Sequence, residues 1–93
     1  MRIIDTIEHP DLKITVFKMD DRITLKFENE GYEQTFKLGN DERLANVEAV
    51  RRLVDPEFLT AVSGQFQQMH RIRLAACTRA FPSDAAAEFE TII

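Results

Sequence analysis

The sequence predicts an α+β fold: a four-stranded antiparallel β-meander over residues 2–38, followed by two to three α-helices packed on one face of the sheet. Up to residue 38, apolar and polar residues alternate with a period of two, which is typical of strands. After Gly39-Asn40 the apolar residues recur at helical spacing. The 93 residues are therefore predicted to form a single domain, 1–93, with the β-meander in 1–39 and the helical part in 40–93.

Four predicted strands are joined by connections too short for parallel neighbours, and they occupy residues 3–8, 12–19, 22–28 and 32–38. The first connection contains His9-Pro10-Asp11, the tripeptide that J-domains carry in a loop between two helices. A strand is predicted on each side here, and the fixed φ of Pro10 suits the second position of a tight turn. The tripeptide is therefore interpreted as a turn.

The other two connections are predicted to be two-residue hairpin loops, Asp20-Asp21 and Glu30-Gly31, with a positive φ expected at Gly31. These loops fix the pairing of the strands. The second of them, Glu30-Gly31, also places Glu28 opposite Glu33, which is an unfavourable contact.

The predicted register collects one apolar face, formed by Ile3, Ile7, Leu12, Ile14, Val16, Ile23, Leu25 and Phe27. Asp5 falls on the same face, between Ile3 and Ile7. We expect this carboxylate to lie at the sheet edge or to pair with a helix arginine, Arg51 or Arg52, in a structural role.

The first predicted helix has an apolar stripe of Leu44, Val47, Val50 and Val54, and Asn40 and Asn46 are both candidate caps. Asp55-Pro56-Glu57 is a strong start signal for a second helix, 56–80. Such a helix is roughly 37 Å long, whereas a seven-residue strand spans roughly 23 Å. It is expected either to break near Gly64 or to extend past the sheet. A third helix is predicted to begin at Ser83.

The sequence contains none of the residue constellations that enzymes use. Its two histidines, His9 and His70, and its one cysteine, Cys77, do not form a zinc motif, and there is no glycine-rich phosphate loop. The single cysteine rules out an internal disulfide and is expected to be a small buried apolar residue. The protein is therefore predicted to be non-enzymatic, with no cofactor and no metal.

The sequence shows no charged-then-apolar leader and no apolar run approaching the roughly 20 residues of a membrane helix. The expectation is a cytoplasmic protein without a membrane partner. The net charge of −4 also disfavours general attraction to phosphate, so nucleic acid is not expected as a partner.

The leading functional hypothesis is a small protein-interaction module that binds a second copy of itself as a homodimer, or another protein. It depends on a surplus of apolar side chains outside the predicted core. The alternation places three of them on the sheet face away from the helices, with Ile4 opposite Phe17. The predicted interaction surface comprises Ile4, Phe17, Met19, Leu74, Phe81, Phe89, Ile92 and Ile93. The sheet residues could instead pack under the tail helix.

Two alternatives use the same predicted architecture. A four-stranded meander followed by a helix resembles, in outline, the Pur-alpha and Whirly modules, and the resemblance implies binding of single-stranded nucleic acid on the open sheet face. The contacts would be Lys13, Phe17, Lys26 and Lys37, although Glu8, Glu28 and Glu33 lie on the same face. The other alternative is a small-ligand-binding domain with a pocket between sheet and helices that uses Tyr32, Gln34 and Asp5.

Overall fold

The structure, a computed structural model, describes residues 1–82. By its internal contacts the chain divides into two compact units, Met1–Ser63 and Gly64–Ile93. The sheet and the first α-helix belong to the first unit, and the boundary falls inside the second α-helix. That residues 1–93 make up a single domain remains a prediction.

Four antiparallel strands form one sheet in sequential order, which confirms the α+β class and the meander. Their bounds are β1 (Arg2–Ile7), β2 (Lys13–Met19), β3 (Arg22–Glu28) and β4 (Glu33–Gly39). His9-Pro10-Asp11 lies in the connection between β1 and β2, as predicted, and the Asp11 N–H donates to His9 Nδ1 at 3.1 Å.

Two α-helices follow in the described part of the chain, α1 (Val47–Leu53) and α2 (Pro56–Ala80), after a short 3-10 turn at Glu42–Leu44. The third predicted helix, beginning at Ser83, lies outside the described residues. Helix α2 continues through Gly64 without interruption, which excludes a break at that point, the first of the two alternatives. The side chain of Asn46 caps α1 by accepting from the Ala49 N–H at 2.8 Å, which decides between the two candidate caps.

The core of the first unit lies between one face of the sheet and its helical residues. Phe27 is fully buried, and its ring stacks on Phe58 of α2 and meets Phe36 of β4 edge-on, with centroid distances of 5.4 and 5.8 Å. The Gln34 side chain donates to the Val62 carbonyl at 2.9 Å, which ties β4 to α2. The other buried apolar side chains of this unit are Ile14, Val16, Ile23, Leu25, Ala49, Val50, Val54 and Val62.

A β-bulge in β1 changes the predicted pairing at the start of the chain. Ile7 lies opposite Ile14 as expected, but the register shifts between Ile3 and Asp5, and Ile3 is the residue opposite Phe17. The predicted pairing of Ile4 with Phe17 is therefore wrong. The extra residue of a bulge reverses the alternation on its far side. Ile3, predicted in the apolar face, is accordingly 61% exposed.

The hairpin loops differ from the prediction in one backbone angle. Asp20 adopts a positive φ of 56°, which closes the loop between β2 and β3. Gly31 does not adopt a positive φ, so that expectation is wrong. The Asn29 carboxamide oxygen instead accepts from the N–H groups of Gly31 and Tyr32, at 3.0 and 2.8 Å, and holds this loop through side-chain hydrogen bonds.

Candidate interaction surface

Exposed apolar side chains gather at one corner of the sheet, on the face opposite the core. Ile3 lies directly across from Phe17, and Met19 follows two residues later on the same side of β2. Ile3 is 61% and Met19 49% exposed, whereas Phe17 is half-buried. Met1 precedes β1 and is also exposed. We call these four side chains the apolar corner.

The bulge is the local feature that builds the apolar corner. Without it, the alternation would direct Ile3 to the core face and Ile4 to Phe17. With it, Ile4 is half-buried and Ile3 takes the exposed position. The predicted apolar patch around Phe17 and Met19 thus included Ile4, whereas the structure exposes its neighbour Ile3.

Beyond the apolar corner, the same sheet face carries a charged group centred on Lys26. Its ammonium lies 3.1 Å from a Glu33 carboxylate oxygen and 3.6 Å from one of Glu28. Glu28 and Glu33 are opposite each other, as the sequence predicted. Lys26 offsets their repulsion, and its hydrogen bond to Glu33 raises the pKa of the Lys26 ammonium above its ordinary value.

The four residues predicted to contact nucleic acid do share this face, but they are not equally accessible. Lys13 and Lys37 are exposed and have no ion-pair partner in the described part of the chain. Lys26 is already held between two carboxylates. Thr15, next to Phe17 on the same side of β2, is only 2% exposed, so the centre of this face is not open.

Two of the residues predicted for a ligand pocket, Asp5 and Gln34, do not converge. Asp5 lies on β1 and Gln34 on β4, the two opposite edges of the sheet, separated by roughly 14 Å of sheet width. The carboxylate of Asp5 is bound by Arg51, and the carboxamide of Gln34 by Val62. A concave surface of about 500 Å³ lies elsewhere in the first unit, lined by Leu38, Asp41, Arg43, Leu44, Ala49, Arg52 and Leu53.

Arg51 connects α1 to the edge of the sheet. Its Nε and Nη2 donate to the two oxygens of Asp5 at 2.7 and 2.9 Å, and Nη2 also reaches the Thr6 carbonyl at 3.3 Å. The guanidinium holds the pKa of the Asp5 carboxyl below its usual range. This pairing confirms the expectation that Asp5 meets Arg51 or Arg52, and it places a charged side chain over the edge of β1.

The remaining predicted interaction residues lie in the second unit. Leu74 is half-buried and Phe81 is 60% exposed, and Ile72, which the interaction prediction did not include, is 57% exposed. Ile72 lies within α2, whereas Phe81 follows the last residue of that helix, Ala80. Phe89, Ile92 and Ile93 lie outside the described residues.

Within residues 1–82 no three side chains of the His, Cys, Asp or Glu type are placed to hold a metal ion. No helix in that range is both long enough and apolar enough to cross a bilayer.

Comparisons of the chain with protein-family models, with curated proteins and with solved structures found no match.

Proposed function

We propose that this chain is a small non-enzymatic protein-interaction module that associates with copies of itself. The observation that carries the proposal is the apolar corner. In it, Ile3 is 61% exposed across from Phe17, and Met19 is 49% exposed two residues after Phe17 on the same strand. Contiguous exposed apolar surface on a small domain is costly in water, and it is typical of sites that another chain covers.

The shape and chemistry of the apolar corner support a protein partner. Ile3, Phe17 and Met19 stand on paired strands, which hold their backbone in place and reduce the ordering that binding a partner requires. The methionine side chain is flexible and can fit an irregular partner surface, and both methionine and aromatic residues are enriched in protein interfaces. Arg22 lies opposite Met19, and its charge suits the polar rim that surrounds an apolar contact.

Size also favours association. A chain of 93 residues buries a smaller share of its surface than a larger domain, so covering apolar side chains between copies adds stability that the core alone does not supply. The proposal therefore accounts both for the exposed side chains and for the small core of the first unit.

The test is the native mass, measured by light scattering on a sizing column at two protein concentrations. The wild-type protein is expected to exceed the 10.7 kDa of one chain, more so at the higher concentration. Ile3→Glu and Met19→Glu are expected to lower the mass, because each places a charge in the contact. Both positions are exposed, so the fold should tolerate the change.

Gln67→Glu serves as the matched control, because it adds the same charge at an exposed position of α2 away from the apolar corner in sequence. It should leave the mass unchanged. A wild-type mass of one chain at both concentrations would refute self-association. Equal masses for wild type, Ile3→Glu and Met19→Glu would remove the apolar corner as the contact.

A further inference from the structure

We propose that two copies of the chain pair through their β4 edges, antiparallel and centred on Thr35, so that their two sheets become one continuous sheet. The inference deepens the proposed self-association and rests on it. It concerns a surface on the opposite edge of the sheet from β1, which carries Ile3 of the apolar corner.

The two edges of the sheet differ in how far they are protected. The β1 edge is interrupted by its bulge, and Arg51 places a guanidinium on the Thr6 carbonyl. Bulges and charged side chains are two devices by which proteins block strand addition at an edge. The β4 strand also has a register shift, but it lies beyond Lys37, at the end of the strand. From Glu33 to Lys37 the strand pairs regularly with β3, and no strand of the described chain pairs with its other side.

A hydrogen bond in the connection between β3 and β4 indicates which backbone groups of β4 face outward. The Asn29 N–H donates to the Tyr32 carbonyl at 3.0 Å, so this pair is hydrogen-bonded across the hairpin. In an antiparallel ladder such pairs alternate with pairs whose backbone groups point away. The backbone groups of Glu33, Thr35 and Lys37 therefore face the open edge, where an added strand would bind them.

The sequence of this edge is complementary to itself. In an antiparallel pair centred on Thr35, Glu33 of each copy lies opposite Lys37 of the other, and all three positions belong to the outward-facing set. Two cross-strand ion pairs result, related by the two-fold axis that is usual for a pair of identical chains. Lys37 has no ion-pair partner in the described part of its own chain, and the Glu33 side chain is 59% exposed.

The charges also select the register. Moving one strand by two residues places Glu33 or Lys37 opposite Thr35 and removes both ion pairs. Centring the pair on Glu33 or on Lys37 places like charges opposite each other, which is unfavourable. In the Thr35 register Phe36, which is 36% exposed, lies opposite Gln34 of the second copy, so that side chain covers part of the exposed ring on the core side of the sheet.

The test uses two charge reversals, Glu33→Lys and Lys37→Glu, with native mass as the readout at low salt. Each variant alone places like charges opposite each other at both ends of the pair, and it should weaken the association roughly tenfold. A one-to-one mixture restores both attractive pairs, so the mixture should be heavier than either variant alone. The gain should fall as salt is added.

Mixing is the decisive step, because it leaves the fold of each chain unchanged. Glu33→Lys also disturbs the intrachain contact with Lys26, and a loss of mass from that variant alone could reflect the fold. A mixture that is no heavier than the separate variants, while the wild type still associates, overturns the β4 pairing and leaves the proposed function intact. A wild type that is a single chain at every concentration overturns both.

Discussion

Arg51 binds Asp5 through two parallel hydrogen bonds, at 2.7 and 2.9 Å, across 46 positions of the sequence. The contact joins α1 to the edge strand β1, whose sheet contacts are otherwise made on one side only. The Asp5 side chain is 15% exposed, so its ionised form depends more on this partner than the ionised form of a fully exposed carboxylate would. The pair both anchors the helix and shields the edge.

Arg51→Ala is expected to lower the thermal midpoint of unfolding by a few degrees, because it leaves the largely covered Asp5 carboxylate without its donor. Arg52→Ala is the matched control. Arg52 is the next residue of α1 and has no ion pair in the described part of the chain. Thermal denaturation followed by circular dichroism measures both. Equal losses for the two variants would show that helix propensity, and not the Asp5 contact, determines the effect.

Protonation of two carboxyl groups, those of Asp5 and Asp41, should lower the stability of the fold in acid. Arg51 lowers the pKa of Asp5, and Arg43, bound to both oxygens of Asp41, lowers the pKa of that carboxyl from 3.8 to about 2. In this pH range the unfolded chain binds more protons than the folded one, so the free energy of unfolding rises with pH. The stabilisation is complete above the ordinary pKa and is lost as the pH falls from 3.8 through the folded values.

The measurement is the thermal midpoint across that acid range in wild type and in the double variant Arg43→Ala/Arg51→Ala. The double variant should show a shallower decline, because its two carboxyls titrate nearer their ordinary value. Arg52→Ala should keep the steep wild-type decline. Parallel curves for all three proteins would contradict the assignment of the acid sensitivity to these pairs.

Phe27 is expected to be the most sensitive core position. Its ring is fully buried between Phe36 and Phe58, so Phe27→Ala should cost about 3–5 kcal/mol of unfolding free energy through lost transfer energy and an empty cavity. Phe36→Ala should cost clearly less, because Phe36 is 36% exposed. Urea denaturation compares them. A larger loss at Phe36 would contradict the placement of the core.

The sheet could be predicted because its information is local. Period-two alternation defined the strands, and the loops Asp20-Asp21 and Glu30-Gly31 fixed their register, including Glu28 opposite Glu33. The position of an acidic residue, Asp5, on the apolar face also predicted its ion pair with an arginine of α1. In each case a residue pattern within one or two elements carried the signal.

The apolar corner was only partly predictable. Phe17 and Met19 follow from alternation, but Ile3 depends on a bulge, and "RIIDTI" contains no glycine or proline that marks one. Asp5 keeps the face that alternation gives it, and the extra residue lies between Ile3 and Asp5, so the bulge changes only the side to which Ile3 points. The complementarity of the β4 edge was present in "EQTFK", but it has meaning only once β4 is known to be an edge strand.

The apolar corner and the β4 edge should act as separate contacts, since they involve different strands. Ile3→Glu and Glu33→Lys should each leave some association, and the combined variant should be a single chain. Sedimentation velocity on the three variants separates these cases. A combined variant as heavy as wild type would mean that copies meet through another surface.

The most direct test of self-association is the native mass of the wild-type protein by light scattering at two concentrations. If copies of the chain associate, the mass lies above 10.7 kDa and rises with concentration. A mass of one chain at both concentrations would contradict self-association.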